Sequence, residues 1–144
     1  MKKSIKELTE MSPPERMIFV KECCKENESV TKSISLYVGC VLDWAKESND
    51  FMIFTVNAGK YDGKYVRDAN EYITVSINTK TEKTYCLTNY LHNYSGYRIF
   101  IAKELDCIKQ EIGYGFGSWS YKVLNLDLTE KSSNSKQEYG SCCG

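Results

Sequence analysis

The chain has 144 residues, of which 42% are hydrophobic and 26% charged, a size that suits one domain with its own apolar core. Its 19 Lys and Arg residues balance its 19 Asp and Glu residues, so it lacks the positive excess expected of a protein that binds nucleic acid or an anionic membrane. There is no apolar run long enough for a membrane span and no signal-peptide core. We expect a cytoplasmic protein with a flexible N-terminus (1–11), a single globular domain (12–129) and a disordered tail (130–144).

The clearest local signal is a helix start at Ser12. Ser12 as N-cap, Pro13 at the first helical position and Glu15 three residues after the cap form a capping box with a proline start. Beyond it, apolar residues recur at spacings of three and four. This pattern predicts an amphipathic helix that extends to about residue 26.

The apolar residues of segment 34–44 fit the spacing of a helix and also the alternation of a strand. A helix would place several of their apolar side chains on one face, but Gly39 would weaken it by about 1 kcal/mol relative to alanine. Apolar residues at every second position, with β-branched and aromatic types among them, favour a strand. We expect this strand to form a hairpin with residues 51–58 across the polar turn at 45–50.

The second half of the chain predicts a further hairpin, a helix and a last strand. After a loop rich in Gly, Lys and Asp (59–70), two alternating segments flank the polar connection 79–83. Apolar residues from Ile101 to Ile112 are spaced by four, three and four, and Gly113 stands where a C-cap glycine belongs, which predicts a second helix near residues 102–112. The last strand is predicted at 118–128.

These elements together predict the α+β class. The N-terminal helix would pack on a mostly antiparallel sheet of about five strands, and the second helix would cover an edge or the same face of that sheet.

Two glycine-rich stretches fail as phosphate-binding loops. The glycines of "EIGYGFGSWSY" (111–121) follow a predicted helix and precede a strand, whereas such loops follow a strand and open a helix whose N-terminus faces the phosphate. In residues 58–65, three residues separate Gly59 from Gly63 where a P-loop has four, and tyrosine follows the lysine in place of Ser or Thr.

No group of residues in the sequence has the spacing expected of a catalytic or metal-binding site. His92 is the only histidine, and on one strand it would lie roughly 20 Å from Cys86, far beyond hydrogen-bond reach. The seven cysteines form no spaced ligand pairs, and their odd number without a signal peptide favours free, buried thiols. We therefore predict no catalytic residue, no metal site and no cofactor, which makes an enzyme the less favoured reading.

Tyrosine is the conspicuous excess, with eleven residues, many of them in predicted turns. Tyrosine is favoured at protein interfaces, although an AT-rich genome would also raise its frequency together with Asn and Lys. Turns set on a rigid sheet commonly carry function. The predicted binding residues are Lys60, Tyr61, Lys64, Tyr65, Arg67, Tyr90, His92 and Tyr94.

Two function classes follow from these residues. The first is a non-catalytic protein of the inhibitor, immunity or viral host-interaction type, which binds a protein partner through its tyrosine-rich loops. The alternative is a small-ligand or nucleotide-binding domain with a pocket inside the curved sheet. The pattern leaves the oligomeric state open.

Overall fold

The computed structural model describes residues 3–64, 66–90, 96–101, 107–115 and 118–137, and it describes only the backbone of residues 68–70, 96–101, 112–115, 118–121 and 133–137. The sequence pattern predicts one domain over residues 12–129. The chain instead divides into two compact units, Met1–Tyr90 and Leu91–Gly144. Each unit has a four-stranded antiparallel sheet built from consecutive strands. The predicted α+β class is confirmed.

Three capped helices open the N-terminal unit (Met1–Tyr90). They are α1 (Ile5–Glu10), α2 (Pro13–Cys23) and α3 (Glu28–Ile34). The capping box at Ser12 is formed as predicted and starts α2. A second capping box at Ser4 starts α1, in the segment expected to be flexible, and Leu8 of that helix is fully buried. Among the described residues no helix has the length and apolar content that a membrane crossing requires.

The sheet of the N-terminal unit runs in the order β1-β2-β3-β4. Its strands are β1 (Cys40–Ser48), β2 (Phe51–Tyr61), β3 (Val66–Asn78) and β4 (Thr84–Tyr90). The strands predicted at 51–58, at 71–78 and from residue 84 are confirmed. Alternate residues of β2 and β3, such as Phe54 and its partner Val75, are fully buried in one core with apolar residues of the helices. This core fixes α2 against one face of the sheet.

The strand predicted over residues 34–44 is wrong in its first half. Asn27 accepts a hydrogen bond from the Val30 amide and starts α3, so Ile34 is helical, and β1 begins only at Cys40. A connecting segment, residues 35–39, lies between them. A Cβ on Gly39 would stand 2.9 Å from Tyr61 Cγ, so this position requires glycine for the close approach of the ring.

Most of the loop predicted at residues 59–70 is instead part of the β2–β3 hairpin. Tyr61 pairs with Val66, and only residues 62–65 connect the strands. Asp62 holds this turn, because its carboxylate accepts hydrogen bonds from the Lys64 amide and from Arg67 Nε at 3.0 and 2.7 Å. Gly63 takes the positive φ of 95° that the turn requires.

The C-terminal unit (Leu91–Gly144) has a sheet in the order β5-β6-β7-β8. Its strands are β5 (Gly96–Ile101), β6 (Ile108–Gly115), β7 (Ser118–Leu124) and β8 (Glu130–Gln137). The last strand, predicted at 118–128, is confirmed over Ser118–Leu124 as β7, whereas residues 125–128 form the turn into β8. Residues 130–137 of the predicted disordered tail form β8, which pairs with β7.

The helix predicted near residues 102–112 is wrong over 108–112, which lie in β6; residues 102–106 lie outside the described part. Ile108 and Gln110 are buried while Lys109 is exposed, a period of two that the spacing of the isoleucines concealed. Strands β5 and β7 pair with both sides of β6. Gly113 therefore lies within a strand, not at a helix end.

Candidate functional site

An apolar groove opens between α2 and the connecting segment 35–39. Its volume is about 290 Å³. The α2 side contributes residues at spacings of three, one and three, which places them on one side of the helix. The groove is lined by Pro14, Met17, Ile18, Lys21, Tyr37 and Val38.

The groove has a buried floor, and a hydrogen bond ties its two walls together. Met17 is 1% exposed and joins the hydrophobic core, so the floor of the groove is fixed to the rest of the unit. Lys21 Nζ donates a hydrogen bond of 3.1 Å to the Ser35 carbonyl. The ammonium group thereby bridges helix and segment, and the aliphatic part of Lys21 is left to line the groove.

Large aliphatic side chains stand exposed at the rim of the groove and beside it. Ile18 is 68% exposed, Val38 is 59% exposed, and Leu36, on the same segment, is 91% exposed. Burial of each such side chain would contribute about 1.5–3 kcal/mol. Three of them within one helix and one short segment mark this surface as a candidate binding site.

Tyr37 connects the outer wall of the groove with the sheet. Partial burial raises the pKa of the Tyr37 phenol, and the nearby carboxylate of Glu71 and the phenol of Tyr90 raise it further. Glu71 is itself buried and accepts a hydrogen bond of 2.8 Å from Ser33 Oγ. Segment 35–39 is therefore placed next to the middle of β3, at Glu71, and the end of β4, at Tyr90.

The predicted binding residues are only partly brought together. Lys60, Lys64 and Arg67 are exposed along the β2–β3 hairpin. Tyr61 is half-buried against Gly39, so it packs the fold, while Tyr90 is 61% exposed and close enough to influence Tyr37. Three of the predicted residues lie outside the described residues, namely Tyr65, His92 and Tyr94.

The sequence pattern places Leu36 and Val38 differently from the structure. Residues 34–44 were expected to form one strand, in which Leu36 and Val38 would share a face with buried residues. The sequence signal that could have predicted their exposure is Asn27. Asparagine is a common N-cap residue, and it stands here three positions before Val30. A helix over 28–34 leaves residues 35–39 as a connection, where apolar side chains need not be buried.

A row of polar side chains crosses the opposite face of the same sheet. Asn57, Tyr72 and Asn89 are register partners on β2, β3 and β4, and we call them the polar row. The side chain of Asn57 is hydrogen-bonded to that of Tyr72, whose pKa is raised by partial burial and by Asp43. Asn57 Oδ1 and Asn89 Nδ2 are buried atoms without a hydrogen-bond partner.

Other chemistry is sparse in the part of the chain that the structure describes. Among these residues, no group of three or more His, Cys, Asp or Glu side chains is arranged to hold a metal ion. Comparison with protein-family models, with curated protein sequences and with solved structures finds no match to this chain.

Proposed function

We propose that this protein is a non-catalytic binding protein whose apolar groove receives an aliphatic or aromatic side chain of a partner protein. The observation that carries the proposal is the exposure of Ile18, Leu36 and Val38 around a groove with a fixed floor. Interfaces derive most of their free energy from a few apolar or aromatic anchors that fill such hollows. The inhibitor, immunity and viral host-interaction types are all forms of this function.

The form of the groove supports a protein partner over a free small molecule. Its volume of about 290 Å³ lies at the lower limit of ligand pockets, and its lining offers one charged group, Lys21, which already donates to the Ser35 carbonyl. A small molecule would find few directional contacts here. A protein side chain needs none, because its backbone is positioned by contacts with the surrounding surface, including Leu36.

A charge placed in the groove should weaken partner binding and leave the fold intact. We expect Ile18→Glu and Val38→Glu each to weaken binding at least about tenfold, which corresponds to about 1.4 kcal/mol, because the carboxylate would be desolvated by the partner. Both side chains are more than half exposed, so the melting midpoint should change little.

The partner can be found with a photo-crosslinking amino acid at position 38, introduced in the native host. We expect one discrete crosslinked protein, which is lost when Ile18→Glu is added. The matched control carries the same probe at position 80, where Lys80 is exposed in the β3–β4 turn. The same product from both positions, or a product at position 38 that survives Ile18→Glu, would contradict the proposal.

Small-ligand binding is the second candidate function, and the polar row supports it. An unpartnered acceptor at Asn57 and an unpartnered donor at Asn89 are groups that ordinarily bind water or a ligand when buried. Native mass spectrometry of protein purified from its own host should then show a retained mass that is lost in Asn57→Leu. The same spectrum for wild type and Asn57→Leu would remove this candidate.

A further inference from the structure

Two cysteine thiols meet where the C-terminal end of α2 packs on β4. Cys24 is the C-cap of α2 and is fully buried, and Cys86, in the middle of β4, is only partly buried. Their side chains are hydrogen-bonded to each other. The contact thus joins a buried thiol to one that solvent reaches.

The backbones on both sides of this contact are held by side chains. Asn27 Nδ2 donates to the Cys86 carbonyl at 3.2 Å, and Thr31 Oγ1 donates to the Cys24 carbonyl at 2.8 Å. Both donors belong to α3 or to its cap. Asn27 also donates its backbone N–H to the Cys24 carbonyl at 2.9 Å, so this one residue holds the backbones of both cysteines beside each other.

The hydrogen bond gives the two thiols different chemistry. Cys24 donates and Cys86 accepts, so the bond lowers the pKa of Cys86 and, together with burial, raises the pKa of Cys24. Because the thiolate is the reactive form, Cys86 is the nucleophile and Cys24 remains a thiol beside it. Burial raises the pKa of both Cys23 and Cys40 to about 12, which makes these two thiols unreactive.

We propose that Cys86 and Cys24 form an oxidation site, at which a hydroperoxide converts the contacting thiols into a disulfide between α2 and β4. In the first step the Cys86 thiolate attacks the outer oxygen of the hydroperoxide; the O–O bond breaks, an alcohol or water leaves after protonation, and Cys86 becomes a sulfenic acid. In the second step Cys24 sulfur displaces hydroxide from the Cys86 sulfur. The Cys24 proton joins that hydroxide as water, and the S–S bond forms.

Peptide mapping of the full chain tests this site directly. Reduced protein is freed of reductant, treated with hydrogen peroxide, blocked at its remaining thiols and digested with trypsin without reduction. Cleavage after Lys21, Lys25, Lys83 and Arg98 releases peptides 22–25 and 84–98. We expect these two peptides joined, two hydrogens lighter than their sum, and separated again by dithiothreitol.

Peptide 22–25 contains both Cys23 and Cys24, so the bond must be located within it. Fragmentation of the joined wild-type peptides should place the bond on Cys24, and Cys23→Ser should keep the link. Cys24→Ser should instead leave Cys86 to proceed to the sulfinic acid. A disulfide from Cys86 to Cys23 would overturn the proposal. So would a peroxide-treated wild-type protein in which Cys86 stays unmodified or is overoxidised without forming a disulfide. Each of these results can be obtained with the wild-type chain alone.

Discussion

Replacement of Arg16 by methionine is expected to destabilise the N-terminal unit by about 3–5 kcal/mol. Arg16 is 6% exposed although it carries a charge. Its guanidinium donates to four backbone carbonyls, those of Leu8, Thr9, Met11 and Cys40, at 2.9, 3.3, 2.6 and 2.8 Å.

The reason for so large an effect is that Arg16 bonds two of these carbonyls, those of Leu8 and Cys40, in buried positions. Three of the four carbonyls belong to the end of α1 and to the turn into α2, where helical carbonyls have no partner within the helix, and the fourth belongs to β1. No ion pair of Arg16 is found within the described residues, so these oxygens and the C-terminal dipole of α1 are what stabilise the charge. Methionine would fill the space and leave the Leu8 and Cys40 carbonyl oxygens buried without these donors.

Urea denaturation followed by circular dichroism measures this loss, with Arg16→Lys and Lys25→Met for comparison. Lysine keeps the charge but has a single nitrogen, which cannot reach all four acceptors, so we expect an intermediate loss. Lys25 forms an exposed ion pair with Glu22, and its removal should change the free energy of unfolding by less than about 1 kcal/mol. Equal stability of Arg16→Met and Lys25→Met would refute the assigned role of Arg16.

The elements that the sequence predicted well are those whose signals are local. Helix α2 has its cap, its proline start and its apolar spacing within a dozen residues, and each of these acts without the rest of the fold. The β3–β4 hairpin likewise combines alternating segments with a short polar connection. Such elements keep the same structure in many tertiary settings, which is why a pattern suffices to find them.

Where the apolar spacing fits both a helix and a strand, the neighbouring elements decide which of the two forms. In β6 the isoleucines at 108 and 112 suit a helix as well as a strand, and pairing with β5 and β7 selects the strand. At Ile34 the opposite occurs, because Asn27 caps a helix that interrupts the period of two. Neither the available strand edges nor the relative strength of a cap can be read from apolar spacing alone.

The groove could not be predicted because it is a non-local feature. Ile18 and Val38 come from segments that the pattern assigned to separate regular elements, and their common exposure arises only when residues 35–39 cross beside α2. The tyrosine excess pointed towards this region only in part: Tyr90 lies close enough to affect Tyr37, but Tyr61 packs on Gly39. Composition indicates which side chains are available, and topology decides which of them reach one surface.

The second large effect is expected from the replacement of Phe54 by alanine, which should lower the free energy of unfolding by about 3–5 kcal/mol. Phe54 lies on β2, is fully buried and is the largest of the fully buried side chains in the described part of the chain. Its ring stacks on Phe19 of α2, with centroids 6.1 Å apart and an angle of 20° between the planes. Alanine would leave a cavity between helix and sheet, since neither backbone can move closer without disturbing the strands beside it.

A double-mutant cycle with Phe19 separates the lost cavity from the lost ring contact. Phe54→Leu and Phe19→Leu keep most of the apolar volume, so each should destabilise the unit by less than the alanine variant. The coupling free energy between the two leucine substitutions should be about 0.5–1.5 kcal/mol, the range for aromatic pairs beyond their area burial. A coupling free energy of zero would mean that the two rings only fill space. The remaining core contacts and Arg16 would then hold α2, and the groove that it lines, against the sheet.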